Sequence, residues 1–165
     1  MTIQLEDKYI ENTGLTSQFI REELALLLFD KGILNIEQAS GLAQKNLLEL
    51  QAQKKEAYRQ AIKNHALPMA VKDAITQLYP TATLILFGSK ARGEDSKYSD
   101  WDFLILLEEK INRTVENKLR RAINDLELNE FLGEVISSIV RQKEEWENFS
   151  VTLLYKEIAK DGIII

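Results

Sequence analysis

Residues able to do chemistry gather in one stretch of this chain, LILFGSKARGEDSKYSDWDFLILL, which covers residues 84–107. Gly88-Ser89 closes an apolar run, and a glycine there lets the backbone approach a ligand with no Cβ in the way. The following SKARG suits one or two helical turns, whose free N–H groups favour an anion. The Ser89 hydroxyl, Lys90 and Arg92 add polarity and positive charge, a combination that suits a triphosphate, although plain turns carry such residues too. Asp100 and Asp102 follow at the start of a second apolar run. On a strand, residues two apart point to the same face, so these carboxylates stand side by side while Trp101 and Phe103 turn towards the core. Like charges this close repel, and the apolar FLILL beyond them raises the cost. A hard divalent cation relieves it, and Mg²⁺ takes a few carboxylates together with phosphate oxygens and water. A metal on Asp100 and Asp102 would bridge a nucleotide whose phosphates rest on Gly88 and Ser89. Positioning and charge compensation are most of what phosphoryl or nucleotidyl transfer requires.

Activating a hydroxyl nucleophile calls for a third carboxylate on an adjacent strand. The candidate is Glu134, which opens GEVISS and could hold a metal or take the acceptor's proton. Its plain alternative is a surface acid at a strand end. Glu127 and Glu130 are rivals at a helix end or loop.

These residues need elements to hold them. Apolar spacing predicts a helix over 16–30 with Ile20, Leu24, Leu27 and Leu28 on one face, stopped near Gly32. Asn35 with Gln38 three residues on reads as a capping box. A turn near residues 44–46 leads into a long polar connector helix containing Lys54-Lys55, Tyr58 and an exposed His65. Pro68 opens and Pro80 closes a further helix with Val71, Ile75 and Leu78 aligned. ATLILF and WDFLILLEE read as strands joined by about a dozen residues, long for a simple hairpin and therefore suspect as a functional loop. Thr114 caps a helix striped by Val115, Leu119, Ala122, Ile123 and Leu126. GEVISSIVRQ is a third strand, and VTLLYKEIAKDG, with Tyr155 as a packing residue, is a last helix ended by Gly162 and followed by an apolar tail. The order from residue 69 is α-β-β-α-β-α.

Composition narrows the chemistry further. The chain has 165 residues, 45% hydrophobic and 28% charged, with a net charge of −5. That charge does not suit a molecule wrapped in nucleic acid. It has no cysteine and one histidine, which excludes disulfides, thiolate chemistry and a multi-histidine metal site. No apolar run approaches the roughly 20 residues of a membrane span. MTIQLEDKYIENTG lacks a basic-then-apolar signal, so a cytoplasmic location is expected.

Gly88-Ser89, ten residues, then Asp100-x-Asp102 resembles the signature of the minimal nucleotidyltransferases of the DNA polymerase β superfamily. FGSKARG and SDWDF look very like that family, and the likeness extends over residues 69–165, with Phe103 where the family more often has Leu. The resemblance implies an α+β fold, a small mixed β-sheet with flanking helices, in a domain over residues 66–165. It implies Mg²⁺, and ATP or another NTP as donor of a nucleoside monophosphate. Relatives of this size often pair with a HEPN-type toxin ribonuclease and look like antitoxins that adenylylate it. The expected site is therefore Asp100, Asp102 and Glu134 for catalysis and metal, and Gly88, Ser89, Lys90 and Arg92 for the nucleotide.

Residues 1–65 form a helical extension outside that minimal fold. REELALLLFDKGILNIEQASGLAQ resembles antitoxin-like helix-turn-helix proteins up to Ala43. Acids outnumber Lys plus Arg through residue 60, whereas DNA binding needs cations on the phosphates. Dimerisation or partner docking is the expected role. Two other functions stay open at this stage: a catalytically weak antitoxin that acts by binding its toxin or an operator, and a nucleotidyltransferase for a small molecule or an RNA end.

Overall fold

The structure, a computed structural model, describes residues 13–96 and 99–165. The chain divides into two compact units, Met1–Glu56 and Ala57–Ile165. The division falls inside a helix, earlier than the 65/66 boundary read from sequence, because Tyr58 and Ile62 already pack into the core of the second unit.

In the first unit, α1 (Ser17–Asp30) begins where the Thr16 hydroxyl accepts the Phe19 N–H at 3.1 Å. Its inward face is Glu22, Ala25, Leu26 and Phe29 rather than the expected leucine stripe, and Leu27 is exposed. Buried Glu22 is tolerated because Lys45 pairs with it at 2.6 Å and the Gln18 amide donates to it at 2.8 Å. These bonds, Lys45's first, hold its carboxyl below the usual range. The capping box opens α2 (Ile36–Ala43): Asn35 accepts from the Gln38 N–H at 2.9 Å, and the Gln38 side chain accepts from the Asn35 N–H at 3.0 Å. Asn46 caps α3 (Leu47–Lys63). Ala25, Ala39, Ala43, Leu47 and Leu50 make a small core of their own.

The second unit is built on a four-stranded mixed sheet. After α4 (Ala66–Leu78) come β1 (Thr83–Phe87), the short α5 (Gly88–Arg92), β2 (Trp101–Leu107), α6 (Arg113–Asn129), β3 (Ile136–Gln142), α7 (Lys143–Trp146), a 3₁₀ turn (Glu147–Phe149), α8 (Leu153–Asp161) and β4 (Ile163–Ile164). The spatial order is β3-β2-β1-β4, with β1 antiparallel to β2 and β4, and β2 parallel to β3. This is the expected α+β architecture.

The differences have local causes. His65 lies outside the connector helix and caps α4, its Nδ1 accepting from the Leu67 N–H at 3.3 Å. Pro68 then sits in the first turn, where its missing N–H costs nothing. Leu78 is exposed and Tyr79 takes the buried place. Asn112, not Thr114, caps α6, accepting from the Thr114 and Val115 N–H groups. The apolar tail is a fourth strand, pairing Ile163 and Ile164 with Leu86 and Ile85. α7 was not legible in the sequence; it buries Trp146.

β2 is central and covered on both sides, which is why it reads as a continuous apolar run rather than an alternating one. Trp101, Phe103, Ile105 and Leu107 face α4 and α6, meeting Val71, Ile75, Leu119 and Ile123. Leu104 and Leu106 face the other way, against Trp146 and Ile158. Asp102 belongs by alternation to this second face. No helix among the described residues is long and apolar enough to cross a membrane.

Candidate active site

The antiparallel register sets Phe87 opposite Asp102, so the residue after β1 meets the carboxylate at the head of β2. That residue is Gly88, whose φ of +76° suits glycine and few others. A Cβ on Gly88 would lie 2.4 Å from Asp102 Oδ2. The carboxylate thus occupies the space that any other residue would fill. Asp100 stands exposed just before β2. Burial, and secondarily the charge of Asp100, push the Asp102 carboxyl above its ordinary value. The structure therefore brings Gly88, Ser89, Asp100 and Asp102 to one place.

Lys90 and Arg92 go elsewhere. The Lys90 ammonium is buried 4.5 Å over the face of Trp101 and 3.4 Å from Asp95 Oδ2. Trp101 points away from Asp102, so this cation sits beneath the loop and fastens it. The Tyr58 hydroxyl completes the fastening, donating to the Lys90 carbonyl at 2.6 Å. Burial first, then Asp95, raise the Tyr58 pKa and keep the phenol protonated as a donor. Tyr58→Phe should cost about 1 kcal/mol in urea unfolding, because it leaves that half-buried carbonyl short of a donor. Arg92 is exposed and holds Glu94 at 2.6 Å.

Glu134 is not brought to the aspartates. Its Oε2 accepts the Trp101 indole N–H at 2.9 Å, and Trp101 lies on the opposite face of the strand. Glu134→Ala should cost about 1 kcal/mol in thermal or urea unfolding, with Glu134→Gln largely restoring the loss because an amide oxygen can still accept. The rivals are also occupied or remote: Glu127 accepts the Ile136 N–H at 2.6 Å, and Glu130 follows the last turn of α6. Among the described residues no three His, Cys, Asp or Glu side chains group as a metal site. A cavity of about 310 Å³ between α6 and β3, lined in part by Arg120, Ser138 and Arg141, does not include the aspartates.

Sequence reasoning found the loop and the pair but missed Tyr58 and His65. The His65 ring lies tilted at 37° against Trp101 with ring centroids 4.9 Å apart, a long-range contact that no local pattern marks.

A carboxylate pair over a glycine turn, at the head of the central strand of a mixed sheet, agrees with the comparison against known families. The family model described as "Nucleotidyltransferase domain" matches residues 69–165. This chain belongs to that family, a nucleotidyltransferase of the DNA polymerase β superfamily. One curated relative is the "Probable protein adenylyltransferase MntA" of Haemophilus influenzae, 36% identical over 58 residues. The match covers 35% of this chain and 51% of that protein, so the chain spans about half the length of the relative it matches.

The donor set of this candidate site fits a hard cation. Asp100 and Asp102 offer only carboxylate oxygens, repel one another, and have no protein cation between them among the described residues. Both are free to serve as ligands, with the remaining positions left to phosphate and water.

Proposed function

We propose that this nucleotidyltransferase moves AMP from ATP, or another NMP from its NTP, to a hydroxyl of a partner protein, as the antitoxin of a HEPN/MNT-type toxin–antitoxin pair. The observation that carries the nucleotidyl-transfer part is the contact between Asp102 and the Gly88 backbone. It sets the Asp102 carboxylate against the turn on which donor phosphates would rest, with Asp100 two residues before it in the chain and Ser89 next to Gly88. Asp100 and Asp102 would hold Mg²⁺, which when bound neutralises charge on the phosphates. The residues of this chain orient the donor: Gly88 yields space, Ser89 offers a hydroxyl, and the anchors on Lys90 keep α5 in place beneath it. A protein acceptor is supported by the name of the curated relative, a probable protein adenylyltransferase.

That no third carboxylate joins the pair among the described residues favours one further reading, an antitoxin that binds its toxin and transfers weakly. One experiment separates the two. The protein is incubated with labelled ATP, Mg²⁺ and the product of the adjacent gene, and any labelled protein is read by mass spectrometry. Label on that product, lost with Asp102→Ala, supports transfer. Full protection from the toxin by the double aspartate variant, without label, supports binding.

A further inference from the structure

The parallel register places Ser137 of β3 directly beside Asp102 of β2. Neighbouring strands run about 4.8 Å apart, and paired residues share a face. Position 137 is therefore the place on the adjacent strand from which a side chain reaches the same space as the Asp102 carboxylate. An acid there would complete the trio that activates a hydroxyl, and the chain has a serine.

Among the described residues no further Asp, Glu or His side chain groups with the aspartate pair. On β1 the partner of Asp102 is Phe87, followed by a glycine with no side chain. Further along the same face of β3 come Ile139 and Arg141, one apolar and one cationic. The acids of α7 follow the C-terminal end of β3, whereas Asp102 pairs at its N-terminal end. Glu157 and Asp161 of α8 do not group with the aspartate pair either. Glu134 is held by the Trp101 indole.

We propose that the described residues of this chain supply no base for its acceptor, and that the acceptor molecule carries the group that takes its own hydroxyl proton. The inference rests on the nucleotidyl-transfer reading above. In the step, the acceptor oxygen forms a bond to the α-phosphorus of ATP. The bond from that phosphorus to the oxygen bridging towards the β-phosphate breaks, and pyrophosphate leaves with its electron pair. The hydroxyl proton passes to a carboxylate or imidazole next to the acceptor hydroxyl. The active site is complete only when such a partner is seated at the β3 edge, beside Ser137. A simple hydroxyl compound without its own base is accordingly a poor acceptor.

The test uses the full chain with N-acetyltyrosinamide, which has a hydroxyl and no base, together with labelled ATP and Mg²⁺ at neutral pH. A positioned general base contributes about 10²–10⁴-fold, so Ser137→Asp should transfer at least about 10²-fold faster than wild type to this acceptor. Added imidazole should accelerate the wild type and leave Ser137→Asp unchanged. A wild-type rate equal to that of Ser137→Asp overturns the proposal, and so does a wild type indifferent to imidazole; the imidazole arm decides even if the variant does not fold. Calorimetry with Mn²⁺ alone gives a readout independent of turnover. A third carboxylate beside Asp102 should tighten Mn²⁺ binding about tenfold, and unchanged affinity overturns the placement of Ser137. If the wild type fails to bind ATP with Mg²⁺, as followed by tryptophan fluorescence, the nucleotidyl-transfer reading itself fails. Binding with no imidazole effect overturns only the acceptor-base proposal.

Discussion

Replacing Asp102 with alanine should lower incorporation of labelled AMP by about three orders of magnitude, in the range seen when a group stabilising transition-state charge is removed. The loss is one of chemistry, because Asp102 contributes to no buried apolar cluster and heads β2 where the strand begins to face solvent. The neighbours that build the strand, Trp101 and Phe103, point the other way and keep their packing. Circular dichroism should therefore match the wild type while the transfer assay falls to background. Transfer within tenfold of wild type would remove Asp102 from the reaction.

Asp102→Asn carries a second, opposite effect on stability. In the folded protein the carboxyl is pushed above its ordinary value, by burial first and Asp100 second. Folding thus favours its protonated form. That contribution is full below the unfolded-chain value of about 3.9 and is lost as pH rises through the folded value. Near pH 7 the wild type carries two adjacent charges that the amide variant does not. Without divalent cations, Asp102→Asn should melt about 1–3 °C higher than wild type near neutral pH. The gap should close as pH falls towards 3. Adding Mg²⁺ and ATP should reverse the order, because only the wild type binds them well and ligand binding stabilises the state that binds. A variant that melts lower than wild type at neutral pH without metal would contradict the like-charge account.

The sequence carried the parts of this site that are local. Gly88-Ser89 and the aspartate spacing follow from strand alternation and turn chemistry, both readable over a few residues. The strands β1, β2 and β3 and the buried face of α6 were legible for the same reason. What escaped depends on contacts between distant segments. Lys90 and Arg92 read as phosphate ligands because both are cationic and adjacent to the turn. Which way each points is set by Trp101 and Glu94. Glu134 read as a third acid because the sequence placed it at the start of β3; it lies two residues before that strand, and the indole of Trp101, the first residue of β2, captures it. The fourth strand was hidden because a two-residue strand has no period to detect, and only its pairing with β1 defines it. The leucine face of α1 shifted because a glutamate paired with Lys45 can be buried, which hydrophobicity does not anticipate.

Gly88→Ala should be damaging out of proportion to a single methyl group. Two costs act together. The backbone at φ +76° strains any residue with a Cβ by about 1–2 kcal/mol. The new Cβ would also fall 2.4 Å from Asp102 Oδ2, so the carboxylate or the loop must move. A displacement of about 1 Å in a positioned group costs on the order of 10²-fold in rate, and transfer should fall by at least that much. Unfolding stability should drop by about 1–3 kcal/mol. The contact can be isolated by a double-mutant cycle. In an Asp102→Ala background the carboxylate oxygens are gone, and the nearest remaining atom, the Cβ of residue 102, lies at an ordinary 3.5 Å. The stability penalty of Gly88→Ala should then shrink to the backbone strain alone, a coupling of about 1 kcal/mol between the two sites. Equal penalties in both backgrounds would mean that glycine is required for its backbone conformation only, and that the carboxylate does not rest against the turn.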